Sequence, residues 1–405
     1  DFLSIAVPRQ SGRQPNAAEA RQWIPHARYA DSVLREFEQR SEEFGLSERL
    51  ARGEKPRSIF FGGGTPSLWD PEELGRVLHG IRQKVQLSPD EELEITVECN
   101  PTSVDRAHFE ALRSVGVNRV SVGVQSTNDQ QLKFLGRLHN SDGALHALEA
   151  ALEANLPQVS GDLIYGVYRQ SPEQAVQEVR QVAQLPLQHL SAYMLTIEPG
   201  TRFGLEQKQG RLPTLDDEMV AASFLRVRDA LKDEGFEHYE ISNFSREGSA
   251  SIHNLGYWLG RDYIGLGTGA YGTWSKRNAT KFRYRNLISA EQYMTQWTEG
   301  VQGPPSKTLR AIHNYEELDS ETILNERLIL GLRTQQGVLL PFDLEKNNLS
   351  QLGLAWHDLS AKRLTHLEGQ LQKQLAQGKM LHKNQHWSIA PEHWLKSDAI
   401  ILELL

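Results

Sequence analysis

The sequence predicts an α/β fold of repeated βα units, and three observations carry the prediction. Short β-branched runs alternate with amphipathic helical stretches through the first half of the chain. The connections between them are short, as in a parallel sheet with helical crossovers. The strands place their polar and glycine-rich residues at their C-terminal ends, the face where ligands bind in parallel barrels and doubly wound sheets alike.

The strand candidates are Ser58–Gly62, Glu94–Glu98, Arg119–Gly123, Ser160–Tyr165 and Leu190–Thr196. Between them the spacing predicts helices over Pro71–Val85, Val104–Val115, Asp129–Leu135, Asp142–Ala154 and Pro172–Leu185. Asp70 before Pro71 and Ser171 before Pro172 each pair an N-cap with a proline at the first helical position. Helices at Ala18–Glu43 and Asp216–Glu234 flank the series. Such a series reads as a parallel barrel or as a doubly wound sheet.

From about Tyr239 the texture changes. Tyr239–Phe244 (YEISNF) reads as a strand, the glycine-rich Ile264–Gly272 as an irregular segment, and Gly303-Pro304-Pro305 as a linker. Helices over Leu318–Thr334 and Ala355–Ala376 and a short strand at Lys383–Ile389 then form a small helical domain with a wing-like hairpin. The expected division is a barrel over 1–238, a connecting region over 239–305 and a C-terminal domain over 306–405.

At 405 residues, with 39% hydrophobic and 24% charged side chains, the chain can bury a sizeable core and is not globally disordered. A net charge of −8, spread along the chain, argues against nucleic acid as the main partner. The basic cluster Lys276–Arg285, with Phe282 and Tyr284 inside it, reads as a solvated loop or as a patch for propionates or phosphates. No apolar run is long enough to cross a bilayer, so no integral membrane segment is expected. The single cysteine, Cys99, excludes a disulfide framework and any multi-cysteine metal site within these residues, and it fits a cytoplasmic location.

Five groups of residues can carry chemistry. Gly62-Gly63-Gly64-Thr65-Pro66 lets the backbone approach a ligand closely, although three glycines alone equally make a tight strand-to-helix turn. Glu98 ends a strand, where a carboxylate can take a ligand ammonium or ribose hydroxyls or simply cap a helix. Gln125 offers a donor and an acceptor, and Arg137 a planar fork for a carboxylate, or else a helix-end cation. Asp162 sits inside an apolar strand, so it must be paired or ligand-bound or else mark a barrel end. His253, in His253–Trp258 (HNLGYW), can ligate heme iron beside two aromatics, although an isolated motif of this kind is more commonly a core histidine.

In their order, FFGGGTPS, ECNP, RVSVGVQS, LGRLH, GDLIYG, HLSAYMLTIEPGT, YEISNF, HNLGYW and YIGLGTGAYG cover nearly the whole chain and resemble the HemW family. That family belongs to the radical S-adenosylmethionine (SAM) proteins and is related to the oxygen-independent coproporphyrinogen III dehydrogenases. The resemblance implies an incomplete (β/α)6 radical SAM barrel with a small, winged-helix-like C-terminal domain. It implies SAM contacts at Gly63, Gly64, Thr65, Glu98, Gln125, Arg137 and Asp162, and a heme site at His253. It also implies a 4Fe–4S cluster and a heme chaperone that delivers heme to a recipient protein the sequence does not name. The alternatives are oxygen-independent coproporphyrinogen III oxidation and a non-catalytic barrel that binds heme or a partner. HNLGYW and YEISNF favour the chaperone.

Two departures stand out. The family carries C-x-x-x-C-x-x-C followed by Asp-Phe, and here Asp1-Phe2 open the chain with no cysteine before Cys99. The chain is therefore expected to be a fragment lacking roughly 20 residues, one strand plus its loop. Gly166-Val167-Tyr168-Arg169-Gln170 stands where the family usually has Gly-Leu-Pro-Gly-Gln, which puts the loop geometry at the barrel mouth in question.

Overall fold

Pro25 decides where the first long helix begins. Instead of one helix from residue 18, two form, α1 (Ala17–Gln22) and α2 (His26–Glu43), with Pro25 at the N-cap of the second. Proline has no N–H to continue a helical ladder, so the break falls there. The computed structural model describes residues 17–87, 91–276, 281–300, 311–343 and 359–405. The chain start and the Gly303-Pro304-Pro305 linker lie outside them, as do residues 355–358 of the helix predicted from Ala355.

After α3 (Leu46–Ala51) come β1 (Ser58–Phe61), α4 (Pro71–Lys84), β2 (Glu94–Cys99), α5 (Arg106–Ser114) and β3 (Arg119–Gln125). Next are α6 (Asp129–Phe134), α7 (Ser141–Glu153), β4 (Gln158–Tyr165), α8 (Pro172–Ala183) and β5 (His189–Met194). Then α9 (Arg202–Lys208) and α10 (Asp217–Asp233) lead to a tight hairpin of β6 (Glu237–Glu240) and β7 (Asn243–Ser245). Each predicted helix of the series has its cap: Asp70, Asp105, Asn128, Asn140, Ser171 and Asp216 all accept a first-turn backbone N–H.

The sheet runs β1-β2-β3-β4-β5-β7-β6, parallel through β5 and antiparallel beyond. It curls into a half-barrel with its helices outside. The YEISNF segment is thus two strands and a turn, and the sheet continues past residue 238 to Ser245. Val97, Val120, Val122, Val159 and Leu190 are buried against the helical layer. Each such side chain stabilises the fold by about 1.5–3 kcal/mol.

α11 (Ile252–Trp258) follows, then β8 (Tyr271–Ser275), β9 (Lys281–Asn286), α12 (Ala290–Thr295) and β10 (Ile312–Leu318). The three strands form an antiparallel sheet, and with α2 and α4 they enclose a second core. This corrects the reading of Lys276–Arg285 as a solvated loop: Lys281–Asn286 is the central strand of that sheet, although residues 277–280 lie outside the described ones. The period is two, so Phe282 and Tyr284 go inward while Arg283 faces out to Glu316 and Glu326 at 2.7 and 2.6 Å. Lys281 and Arg283 are paired with carboxylates, and Arg285 donates to the Gly269 carbonyl at 3.4 Å and lies over the Tyr271 ring.

α13 (Ser320–Gly331), β11 (Val338–Leu339), α14 (Ala361–Ala376), β12 (Met380–Lys383), β13 (His386–Ile389) and α15 (Ser397–Leu402) complete the chain. Trp387 and Trp394 are buried in this end. It covers the open edge of the large sheet: Gln335 N–H donates to Tyr239 O at 3.0 Å, and Trp394 meets the His238 ring edge-on at 4.4 Å. Covering an edge strand removes a site of unwanted pairing.

Candidate functional site

A parallel sheet covered by helices on both faces reads as nearly continuous hydrophobic strands. These strands do not. In β2, Ile95, Val97 and Cys99 face the helices, which leaves Glu94, Thr96 and Glu98 on the inner face. In β3, Val120, Val122 and Val124 face outward, leaving Arg119, Ser121, Gly123 and Gln125 inside. β4 and β5 add Ser160, Asp162, His189, Ser191 and Tyr193 to the same inner face. The half-barrel therefore has a polar lumen. This alternation was the signal in the sequence for inner residues that motif reading missed, His189 and Arg119 among them.

The predicted mouth residues converge at the C-terminal ends of the strands. Gly63 and Gly64 both have left-handed backbones, with φ of 81° and 65°, which a side chain would strain. That turn points the Gly63 N–H at Glu98 Oε2, 2.9 Å away. Thr65 closes the turn by accepting Leu68 N–H through its carbonyl. Burial raises the Glu98 pKa, the Gly63 N–H opposes the rise, and Asp162 adds to it. Asp162 accepts from Ser121 Oγ at 2.7 and 2.9 Å and from Ser160 Oγ at 3.4 Å. Its pKa is also raised by burial, against the lowering effect of those hydroxyls.

Gln125 ends β3 in the left-handed region, with φ of 68°, where the register with β4 shifts. Non-glycine residues held there commonly mark functional positions. Its Oε1 accepts from Arg137 Nη2 at 3.3 Å. Arg137 is exposed at the mouth and has no carboxylate partner among the described residues.

The loop that departs from the family pattern keeps its shape through Gln170. The Gln170 Oε1 accepts the N–H of Gly166 at 2.8 Å, and its Nε2 donates to Glu178 and Gln131 at 2.8 and 3.1 Å. Arg169 adopts a left-handed backbone with φ of 66°.

His253 lies apart from the mouth, at the other end of the lumen. Glu94, the first residue of β2, accepts the N–H groups of Ile252 and His253, both at 2.9 Å, and Arg119 Nη1 stands 3.7 Å from it. The His253 ring stacks on Phe60 with centroids 4.3 Å apart, and its Nδ1 is 3.3 Å from Ser58 Oγ. Phe60 in turn packs against Gly62, so one aromatic ring separates His253 from the glycine turn. Burial lowers the His253 pKa to about 4, and the imidazole is neutral at physiological pH.

Cys99 faces the outer core rather than the lumen, and its thiol donates to Val97 O at 3.6 Å. Burial and the nearby Glu98 and Asp162 push its pKa far up, so it is not a thiolate. The described residues contain no cluster of histidine, cysteine and carboxylate side chains able to hold a metal ion.

The curled half-barrel of parallel strands places the chain in the radical SAM class. Residues 32–182 match the radical SAM superfamily. The fold is similar to that of coproporphyrinogen III oxidase (HemN) from Escherichia coli, with a TM-score of 0.65 and 19% identity over 93% of this chain and 82% of that one. The mouse radical S-adenosyl methionine domain-containing protein 1, mitochondrial, is 36% identical over 293 residues, 72% of this chain and 64% of that protein. Heme chaperone HemW of E. coli is 38% identical over 62% of each chain. Heme chaperone HemW of Lactococcus lactis is 32% identical over 312 residues, 77% of this chain and 75% of that protein. The chain belongs to the HemW family of radical SAM proteins. It spans 64% of the mouse relative's length.

Proposed function

We propose that this chain is the barrel of a heme chaperone that binds SAM at its mouth and heme at His253, and passes the heme to a recipient protein. The observation that carries the SAM part is Arg137, exposed beside Gln125 with no carboxylate partner among the described residues. A planar guanidinium in that position suits the α-carboxylate of an amino acid. Glu98 beside the glycine turn suits an ammonium group, and Asp162 suits the two hydroxyls of a ribose. A 4Fe–4S cluster does not fit these residues: one buried thiol cannot hold it. When present together, SAM and such a cluster supply one-electron chemistry. For heme, the support is a neutral imidazole whose Nε2 takes part in no described hydrogen bond.

No helix among the described residues is long and apolar enough to cross a membrane. A cytoplasmic site of action is part of the same reading, supported by the unpaired thiol of Cys99.

The test is a pair of titrations on the full chain. Equilibrium dialysis against SAM is expected to show binding that Arg137→Ala weakens by about 10- to 100-fold, the worth of a charge-assisted hydrogen bond. Heme titration followed at the Soret band is expected to lose its ligated spectrum in His253→Ala. Unchanged heme spectra in that variant would remove His253 as the ligand, and SAM affinity indifferent to Arg137→Ala would remove the mouth assignment.

A further inference from the structure

Behind Asp162 runs a file of hydrogen-bonded side chains that no ligand-facing role accounts for. Ser160 Oγ lies 3.4 Å from Asp162 Oδ1 and 2.7 Å from His189 Nδ1, and His189 Nε2 lies 2.8 Å from the Tyr239 hydroxyl. His189 and Tyr239 are buried, on β5 and β6, and neither bonds to anything that faces the mouth. His189 opens the HLSAYM strand and Tyr239 opens YEISNF, so both belong to motifs that the proposed function leaves without a task.

Proton accounting gives the file a direction. Tyr239 O accepts the Ser251 backbone N–H at 3.4 Å, and the one described acceptor for its own proton is His189 Nε2. His189 is neutral, because burial and the field of Arg119 push its pKa well below the usual range. A neutral imidazole that accepts at Nε2 carries its proton on Nδ1 and donates it to Ser160 Oγ. Ser160 then has its own proton to donate to Asp162. The reverse order leaves the Tyr239 proton without an acceptor and turns the Ser160 proton away from Asp162. A buried hydroxyl left without a partner forfeits the water it gave up on folding, which favours the first order.

We propose that His189 and Tyr239 are positioning residues which, through Ser160, hold Asp162 as a hydrogen-bond acceptor for the hydroxyl groups of a ribose-bearing ligand. The ligand part rests on the reading of Asp162 as a SAM contact. Hydroxyls that donate to a carboxylate on one side favour its ionised form and leave its remaining lone pairs for a diol on the other. The charged and titratable groups around Asp162 come from three strands. Glu98 on β2 disfavours its charge, Cys99 beside it is a neutral thiol, and Arg119 on β3 favours its charge. On β5, Tyr193 and His189 flank it as neutral groups. The file supplies what the carboxylates on this wall take away.

The experiment titrates Asp162 directly in the full chain, by carbon-13 NMR of carboxyl-labelled aspartate, with the resonance assigned by its loss in Asp162→Asn. His189→Phe and Ser160→Ala are each expected to raise the proton affinity of Asp162 by about three- to tenfold, the share of one long charge-assisted bond. His189→Gln keeps a donor and an acceptor at similar reach and is expected to restore the midpoint. An unchanged midpoint in both His189→Phe and Ser160→Ala overturns the proposal, and so does a Gln variant that fails to restore it. Ser160→Ala removes only a hydroxyl, so the test survives if His189→Phe does not fold. Dialysis against SAM separates the two layers: a shifted midpoint with SAM affinity indifferent to Asp162→Asn overturns the SAM reading and leaves the relay standing.

Discussion

At the scale of single residues, the site is built from conformations that few side chains tolerate. Gly63 and Gly64 occupy left-handed positions that suit glycine, whereas Gln125 and Arg169 occupy them at a cost. For Gln125 the cost buys the meeting with Arg137 at the mouth. Among the described residues Arg169 makes no comparable bond; its guanidinium lies over the Tyr168 ring at 5.2 Å. Arg169→Gly is therefore expected to stabilise the chain by about 1 kcal/mol, read as a higher urea midpoint, because the left-handed strain disappears. A lower midpoint would mean that the contact with Tyr168 outweighs the strain. The sequence exposed Arg169 as a departure from the family pattern, but Gln170 as the brace that keeps the loop in shape was not legible. Its partners, Gln131 and Glu178, come from two separate helices.

At the scale of elements, caps and alternation were readable in advance. Ser171 and Gln174 form a complete capping box at the start of α8, with reciprocal bonds of 3.2 and 2.9 Å. Ser171→Ala is expected to lower the unfolding free energy by about 1 kcal/mol in urea titration, without moving SAM affinity. A loss of SAM affinity would show that α8 supports the mouth more directly than its cap does. The five parallel strands fall within two residues of their predicted bounds, because β-branched runs and helix caps are local signals. The strand at Lys281–Asn286 resembles a loop in sequence because of its alternate cations; the partners of Arg283, Glu316 and Glu326, lie thirty or more residues away and are brought beside it only by the fold. The split of the first helix at Pro25 was a local signal overlooked in favour of periodicity.

At the scale of the whole molecule, buried carboxylates tie the two cores to pH. Glu36 is fully buried between α2 and the small sheet, where it accepts from Gly267 N–H, Asn286 Nδ2 and Tyr293 OH and stands 3.6 Å from Arg40. Burial raises its pKa from 4.5 to about 7, more than Arg40 and the hydrogen bonds lower it. The folded state thus holds its proton more tightly than the unfolded chain, so its contribution to stability is complete below about pH 4.5 and lost as pH rises through 7. The buried histidines act in the opposite direction below pH 6.5 and cancel when variants are compared. Parent minus Glu36→Gln is expected to show a urea midpoint that falls between pH 5 and 8; a flat difference would assign the pH dependence elsewhere. By itself, the sequence determined the βα order, the helix caps, the family and the polar residues at the strand ends, because each of these is written within a few neighbouring residues. Only the tertiary structure decided that the sheet curls around a polar lumen, that Gln125 meets Arg137 at its mouth, and that His253 lies at its far end behind Phe60. Curvature, register and the pairing of distant side chains are set by how the strands and helices pack together, and no single segment specifies them.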